Sequence, residues 1–216
     1  MRIRKTITIR TRENRMTRKE LSRNYWRYYN MLEDKFLETV NYVELNQANF
    51  QSFSNEYALL LQAIGAELDN FFKAYCGFDP ADRKTIVDYA AYILSDFPGI
   101  ITEKIEVLDT EIEVQPFEGW NVSSPAQSLP WWKAFDDIKH NRIGNFAQAN
   151  QENILNTLAA LYLLEVKMFT KATKDDPALG LAEVDIPNGF SKVFRLPPWN
   201  FRSISPGDLQ ELEKWI

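Results

Sequence analysis

The stretch from Phe146 to about Thr170 limits the possible folds more than any other part of this chain. Its apolar residues, Ile154, Leu155, Leu158, Ala159, Leu161, Tyr162, Leu164, Val166 and Met168, wrap most of a helical circumference. A helix that is apolar nearly all round belongs at the centre of a bundle. The rest of the chain must then supply helices to cover it. Residues 55–76 are the clearest of these. Tyr57, Leu60, Leu61, Ile64, Leu68, Phe71, Phe72 and Tyr75 form one broad stripe. Gly65 and Ala66 beside the stripe permit close helix approach, Ser54 and Glu56 suit a helix start, and Gly77 suits its end.

Residues 17–45 carry a second stripe, with Leu21, Tyr25, Tyr28 or Tyr29, Leu32 and Phe36 at three- and four-residue spacing. Asp79-Pro80-Ala81-Asp82 reads as the start of a third helix that runs through Ile86, Tyr89, Ala90, Ile93, Leu94 and Phe97 to Pro98-Gly99. The period then changes. Ile105 and Val107, then Ile112 and Val114, alternate with charged residues around Asp109-Thr110, which predicts a β-hairpin within residues 100–117. Trp131 to Lys139 reads as a short helix carrying Trp132, Phe135 and Ile138 on one face, interrupted from His140 to Asn145. The segment from Leu181 to Trp199, punctuated by Pro187, Gly189, Pro197 and Pro198, reads as extended, with a strand near Val193 to Leu196. Ser205-Pro206 opens a last short helix. The expected fold class is therefore mainly α: a bundle of about five helices with a small β-hairpin and an extended C-terminal segment. Residues 17–216 form one domain behind an arm of residues 1–16.

Six Trp, nine Tyr and fourteen Phe imply a core of shaped aromatic contacts. One cysteine, Cys76, allows no intrachain disulfide, which favours a reducing compartment. With one histidine, His140, it cannot make a four-ligand zinc site. No cofactor and no metal are expected. No apolar run is long enough to span a bilayer, and the basic N-terminus lacks the apolar core of a secretory signal. The expected location is cytoplasmic. The net charge of −5 hides an asymmetry: residues 1–27 hold ten Lys/Arg and two acids, so that segment is +8 and the remainder −13. The basic arm either touches an anionic partner such as nucleic acid or is a disordered tail ahead of a true start at Met16, where Thr17 can cap a helix.

The run W-W-K-A-F-D-D-I-K-H-N-R, Trp131 to Arg142, followed by A-Q-A-N-Q-E-N-I-L-N-T-L-A-A-L-Y-L-L, Ala147 to Leu164, resembles a family of bacterial and phage proteins related to the HEPN superfamily of helical domains. Ile64 to Lys73 and Met16 to Tyr29 add to the likeness, which covers about a quarter of the chain. The resemblance implies a HEPN-like helical bundle, a homodimer, and an RNA-directed role of the defence or toxin–antitoxin type. Catalytic HEPN proteins are metal-independent ribonucleases whose motif is an Arg, four to six intervening residues and then a His, near the dimer interface. This chain departs from that pattern: Lys133, Ala134 and Phe135 stand where the Arg belongs, and Arg142 follows the His. The departure fits a non-cleaving member as well as an enzyme.

Read from its residues alone, the segment Lys139-His140-Asn141-Arg142 offers the parts that metal-free RNA cleavage requires. His140 can act as general base or acid, and Lys139 and Arg142 can hold a phosphate. Asn141 and Asn145 stand as further substrate contacts, and Glu67 and Asp69 as carboxylates that orient His140 across the bundle. The competing reading is a non-enzymatic module that binds a protein partner or itself. In that reading the His140 turn is structural, and Arg142 pairs with Asp136 or Glu67. Trp131 and Trp132 read as core rather than as a base-stacking pair, and Cys76 as a buried small hydrophobe. Asn150, Asn153 and Asn156 form a row that either lines a polar face or bonds to the His140 turn.

Overall fold

The computed structural model describes residues 16–175 and 191–196. The basic arm before Met16, most of the extended C-terminal segment and the last short helix read from the sequence lie outside the described residues. Thr17 starts the first described helix with a capping box: its side chain accepts from the Glu20 amide while the Glu20 carboxylate takes the Thr17 amide at 2.8 Å. Helix α1, Arg18–Leu21, then runs into a π-helical turn, Ser22–Trp26, and on into α2, Arg27–Val40. The wider turn shifts the stripe by one residue. Leu21, Trp26, Tyr29, Leu32 and Phe36 are the buried set, and Tyr25 is only half-buried. Tyr25 instead meets Phe71 edge-on at 5.0 Å, while Trp26 stacks on Tyr29 at 4.7 Å and packs edge-on against Phe169 at 6.1 Å.

Helix α3, Asn55–Cys76, follows the sequence reading closely. The Ser54 hydroxyl accepts from the Tyr57 amide at its start, and Gly77 ends it in the left-handed conformation at φ 70°. Its expected stripe is buried throughout. Gly65 faces the Phe135 ring so closely that a Cβ there would overlap ring carbons, which is why this crossing of helices needs glycine. Helix α4, Ile86–Asp96, starts later than Asp79-Pro80 predicts. Thr85 and Asp88 complete a capping box, with the Thr85 amide on Asp88 at 3.0 Å, whereas the Asp79 carboxylate only holds a local turn through the Ala81 amide at 2.8 Å. Two reciprocal bonds outcompete a proline and a single Asx turn.

Helix α5, Pro130–Asn141, extends past the expected end at Lys139 and includes His140. Helix α6, Gln151–Asp175, is preceded by a short 3₁₀ turn, Phe146–Gln148. Asn150 caps it by accepting from the Asn153 amide at 2.9 Å. Every residue from Leu158 to Val166 is buried, so α6 is the central helix that its composition requires. Asn150, Asn153 and Asn156 close turns on the carbonyls of Ala147, Gln148 and Glu152; they belong to the start of α6 and not to the His140 turn.

The hairpin is present as β1, Ile105–Val107, and β2, Glu113–Val114, antiparallel with Ile105 opposite Val114. Asp109 turns at φ 59°. A third strand, β3, Phe194–Arg195, pairs with the other edge of β1, giving the order β2-β1-β3. A buried carboxylate anchors that third strand. Glu33 of α2 takes the Tyr29 hydroxyl at 2.7 Å, the Lys192 amide at 3.0 Å, the Val193 amide at 3.3 Å, and the Ser191 hydroxyl. The long loop between sheet and α5 is pinned by indoles: Trp131 donates to the Pro116 carbonyl at 2.5 Å and Trp120 to the Pro125 carbonyl at 3.2 Å. Trp131 and Trp132 are buried, as core residues. Cys76 is buried too, and burial together with Asp96 pushes its thiol up, away from reactive thiolate character.

Among the described residues the architecture is thus mainly helical, five principal helices and a small antiparallel sheet. Among the described residues no helix is long and apolar enough to cross a membrane.

Candidate functional site

The last turn of α5 carries the sequence candidates, and it is an exposed knob rather than a cleft. His140 projects into solvent with its side chain 70% exposed; its Nε2 lies 3.4 Å from Asp136 Oδ1, one turn back on the same helix. Lys139 lies along the face of the Phe135 ring, 5.6 Å from its centre. Arg142 donates to Asn55 Oδ1 at 3.4 Å and sits 5.9 Å over the Phe146 ring, so it joins the end of α5 to the start of α3. It pairs with neither Asp136 nor Glu67.

Asn141 and Asn145 build the turn. The Asn141 carboxamide oxygen accepts from the Gly144 amide at 3.0 Å and folds over Gly144, where any Cβ would lie 2.6 Å from the Asn141 Nδ2. The Asn145 side chain donates to the carbonyls of Asn141 at 3.0 Å and Asp137 at 3.2 Å. Beneath them Asp137 takes Lys133 and Gln148, and those bonds hold its carboxyl below the usual range. The side-chain bonds of Asn141 and Asn145 therefore go to the shape of the turn.

Glu67 and Asp69 do not orient His140. Asp69 accepts from the Tyr89 hydroxyl at 3.1 Å and pairs with Lys73 at 3.7 Å, bracing α3 against α4. Glu67 faces another part of the molecule, a groove of about 410 Å³ lined by Arg23, Asn24, Arg27, Tyr28, Met31 and Glu67. The mistaken partner has a simple origin: Asp136, four residues before His140 on one helix face, reaches it at less conformational cost than a carboxylate across the bundle.

Elsewhere, on the central helix, lies the residue that sequence reasoning missed. Glu165, in the middle of α6, is fully buried, and neither carboxylate oxygen has a hydrogen-bond partner. Burial pushes its carboxyl well above the ordinary value, and the nearby charge of Glu67 pushes it further. Glu67 itself is pushed up to about 7 by burial, against the lowering effect of a hydrogen bond from Asn70. Both carboxyls are thus shifted in the same direction, Glu165 in the core and Glu67 half-buried at the groove. The signal in the sequence was an acid inside the run L-Y-L-L-E-V, Leu161 to Val166, on a helix with no solvent face to receive it.

Among the described residues no group of three or more His, Cys, Asp or Glu is placed to share a metal ion. No family model, curated protein or solved structure matches the chain.

Proposed function

We propose that this chain is a HEPN-like helical module that works as a homodimer, with the exposed turn after α5 at the centre of its pairing surface. The observation that carries this reading is the apolar surface around Arg142. Ile143 is 87% exposed, and Phe53 and Leu59 are 51% and 64% exposed. Phe53 packs on Phe146 at 5.3 Å, Phe146 lies under Arg142, and Arg142 bonds to Asn55, one helical turn from Leu59. Large apolar side chains gathered round a turn that is held by its own hydrogen bonds mark a protein-binding face. A two-fold pair formed there is self-complementary, as isologous contacts require. In this reading His140, Asn141 and Asn145 shape and rim the interface. Sedimentation equilibrium at micromolar concentration should find a dimer, and Ile143→Asp should shift it to monomer with an unchanged far-ultraviolet circular dichroism spectrum, because Ile143 takes no part in the core. A wild-type protein that stays monomeric rejects the reading.

One observation favours a second, RNA-directed role for the same surface. Lys139, His140 and Arg142 are all exposed within one turn, and a two-fold pair would supply two copies of each. One His140 would take the 2′-hydroxyl proton, the other would protonate the leaving 5′-oxygen, and Lys139 and Arg142 would hold the phosphate between them. The expected result is metal-free cleavage of mixed cellular RNA in EDTA that is lost in His140→Ala. Equal cleavage by wild type and His140→Ala removes this role and leaves the dimer untouched.

A further inference from the structure

The groove along the π-helical turn and α2 presents two kinds of surface side by side. Tyr28 and Met31, 38% and 48% exposed, form its apolar wall. Arg23 and Arg27, one helical turn apart, stand along it, and among the described residues neither joins an ion pair. Arg23 makes a local bond, Nε to Asn24 Oδ1 at 3.1 Å. An apolar strip edged by two cations one turn apart fits an amphipathic helix edged by two acids one turn apart.

The chain carries such a segment beyond its described residues. After Ser205-Pro206, Leu209, Leu212 and Ile216 recur at helical spacing with Trp215 beside them. Asp208 and Glu211 are spaced one turn apart along one side of that stripe. Four large apolar side chains on one helical face require a surface to cover them.

The described chain leads to the groove. Glu33 of α2 holds Ser191, Lys192 and Val193, and Lys192 pairs with Asp34 at 2.5 Å. Phe194 then meets Tyr162 at 5.5 Å, and the Leu196 backbone bonds to the Tyr162 hydroxyl. Tyr162 itself packs on Trp26 at 6.3 Å and on Tyr29 at 5.9 Å. Leu196 therefore lies beside the buried side of the same turn of helix whose outer side carries Arg27 and Tyr28. A helix is about 10–12 Å across. Residues 197–205 can span up to about 30 Å, so they reach round α2 without displacing any described element. Glu67, the acid of the groove, is pushed up to about 7 by burial, so at lower pH it does not repel incoming carboxylates.

We propose that residues 206–216 of this chain bind along this groove as an amphipathic helix, with Leu209, Leu212 and Ile216 against Tyr28 and Met31, and Asp208 and Glu211 facing Arg23 and Arg27. The contact closes the C-terminal segment back onto α2 and covers the two cations nearest the folded end of the basic N-terminal stretch.

The test places a nitroxide at Gln210→Cys, on the helix side away from the stripe, in the ¹⁵N-labelled full chain at pH 6 diluted into unlabelled wild type. Cys76 is buried with its thiol pushed up, so it stays unreacted under native conditions. Amides of residues 23–31 and those around Glu67 should broaden, and those around Ile143 should stay sharp. Leu212→Asp should remove the broadening. So should Arg23→Glu together with Arg27→Glu, and adding Asp208→Arg and Glu211→Arg to that pair should restore it. Ile143→Asp should leave it unchanged, which separates this contact from the pairing surface around Ile143. The proposal is overturned if Leu212→Asp leaves the broadening intact, because a tether alone then explains it. It is also overturned if the reversed charges fail to restore the contact, or if ¹⁵N wild type mixed with unlabelled nitroxide chain broadens equally, because the segment then binds a second copy.

Discussion

Phe72→Ala should destabilise the protein by about 3–5 kcal/mol, a fall of roughly 6–20 °C in thermal midpoint for a chain of this size. Phe72 is fully buried and stands where three parts of the chain meet. Its ring stacks on Tyr89 of α4 at 5.1 Å, on Trp120 of the long loop at 6.1 Å, and tilts against Trp132 of α5 at 5.6 Å. Truncation removes the surface that all three rings share, and rings of this size cannot collapse into the gap. Trp120 also positions the loop through Phe117, at 5.2 Å, and Phe117 in turn meets Trp131 at 5.7 Å. The near-ultraviolet circular dichroism of the tryptophans should therefore weaken together with stability. Chemical denaturation gives the number directly, and a loss under about 1 kcal/mol would show that Phe72 is not the hub its contacts imply.

How much of this could be read from the sequence depends on the range of the forces involved. The stripe of α3, its Ser54 cap and its Gly77 stop are local signals that tertiary packing reinforces, and they appear where expected. The hairpin follows from local alternation, and the β3 strand lies within the segment that its prolines mark as extended. The start of α4 was misread because Asp79-Pro80 and Thr85-x-x-Asp88 are both local start signals, and only the energy of the reciprocal cap separates them. The π-turn was invisible: a shift from Tyr25 to Trp26 in the core is decided by Phe71 and Phe169 on two other helices, and no pattern in Ser22–Trp26 encodes it. The candidate site divides in the same way. Local chemistry drew attention to His140, Asn141, Arg142 and Asn145, which do come together in one turn. Glu67 and Asp69 were assigned to that turn across the bundle, where helix rotation decides, and they face elsewhere. Glu165 was legible as an acid on an all-apolar helix, but its coupling to Glu67 required knowing how α3 and α6 cross.

Glu165→Met should stabilise the protein by about 1–3 kcal/mol near neutral pH and flatten the fall of its stability with rising pH. Met is unbranched and close to Glu in length, so it can fill the space among the apolar neighbours of α6 without strain. The pH effect has a definite sign. A carboxyl raised in the folded state binds its proton more tightly there than in the unfolded chain. Stability from that proton is complete below the unfolded value of 4.5 and is lost as pH rises through the folded value. For Glu67 the loss runs from 4.5 to about 7. Glu165, raised in the same direction by its burial, adds a loss of the same sign as pH rises above 4.5. Removing Glu165 leaves only the Glu67 window, so the gain over wild type should widen as pH rises above 4.5. Urea denaturation of both proteins across pH 5 to 9 measures this. Equal pH slopes, or a Met variant less stable than wild type, would mean that Glu165 has partners in solution and is an ordinary structural acid.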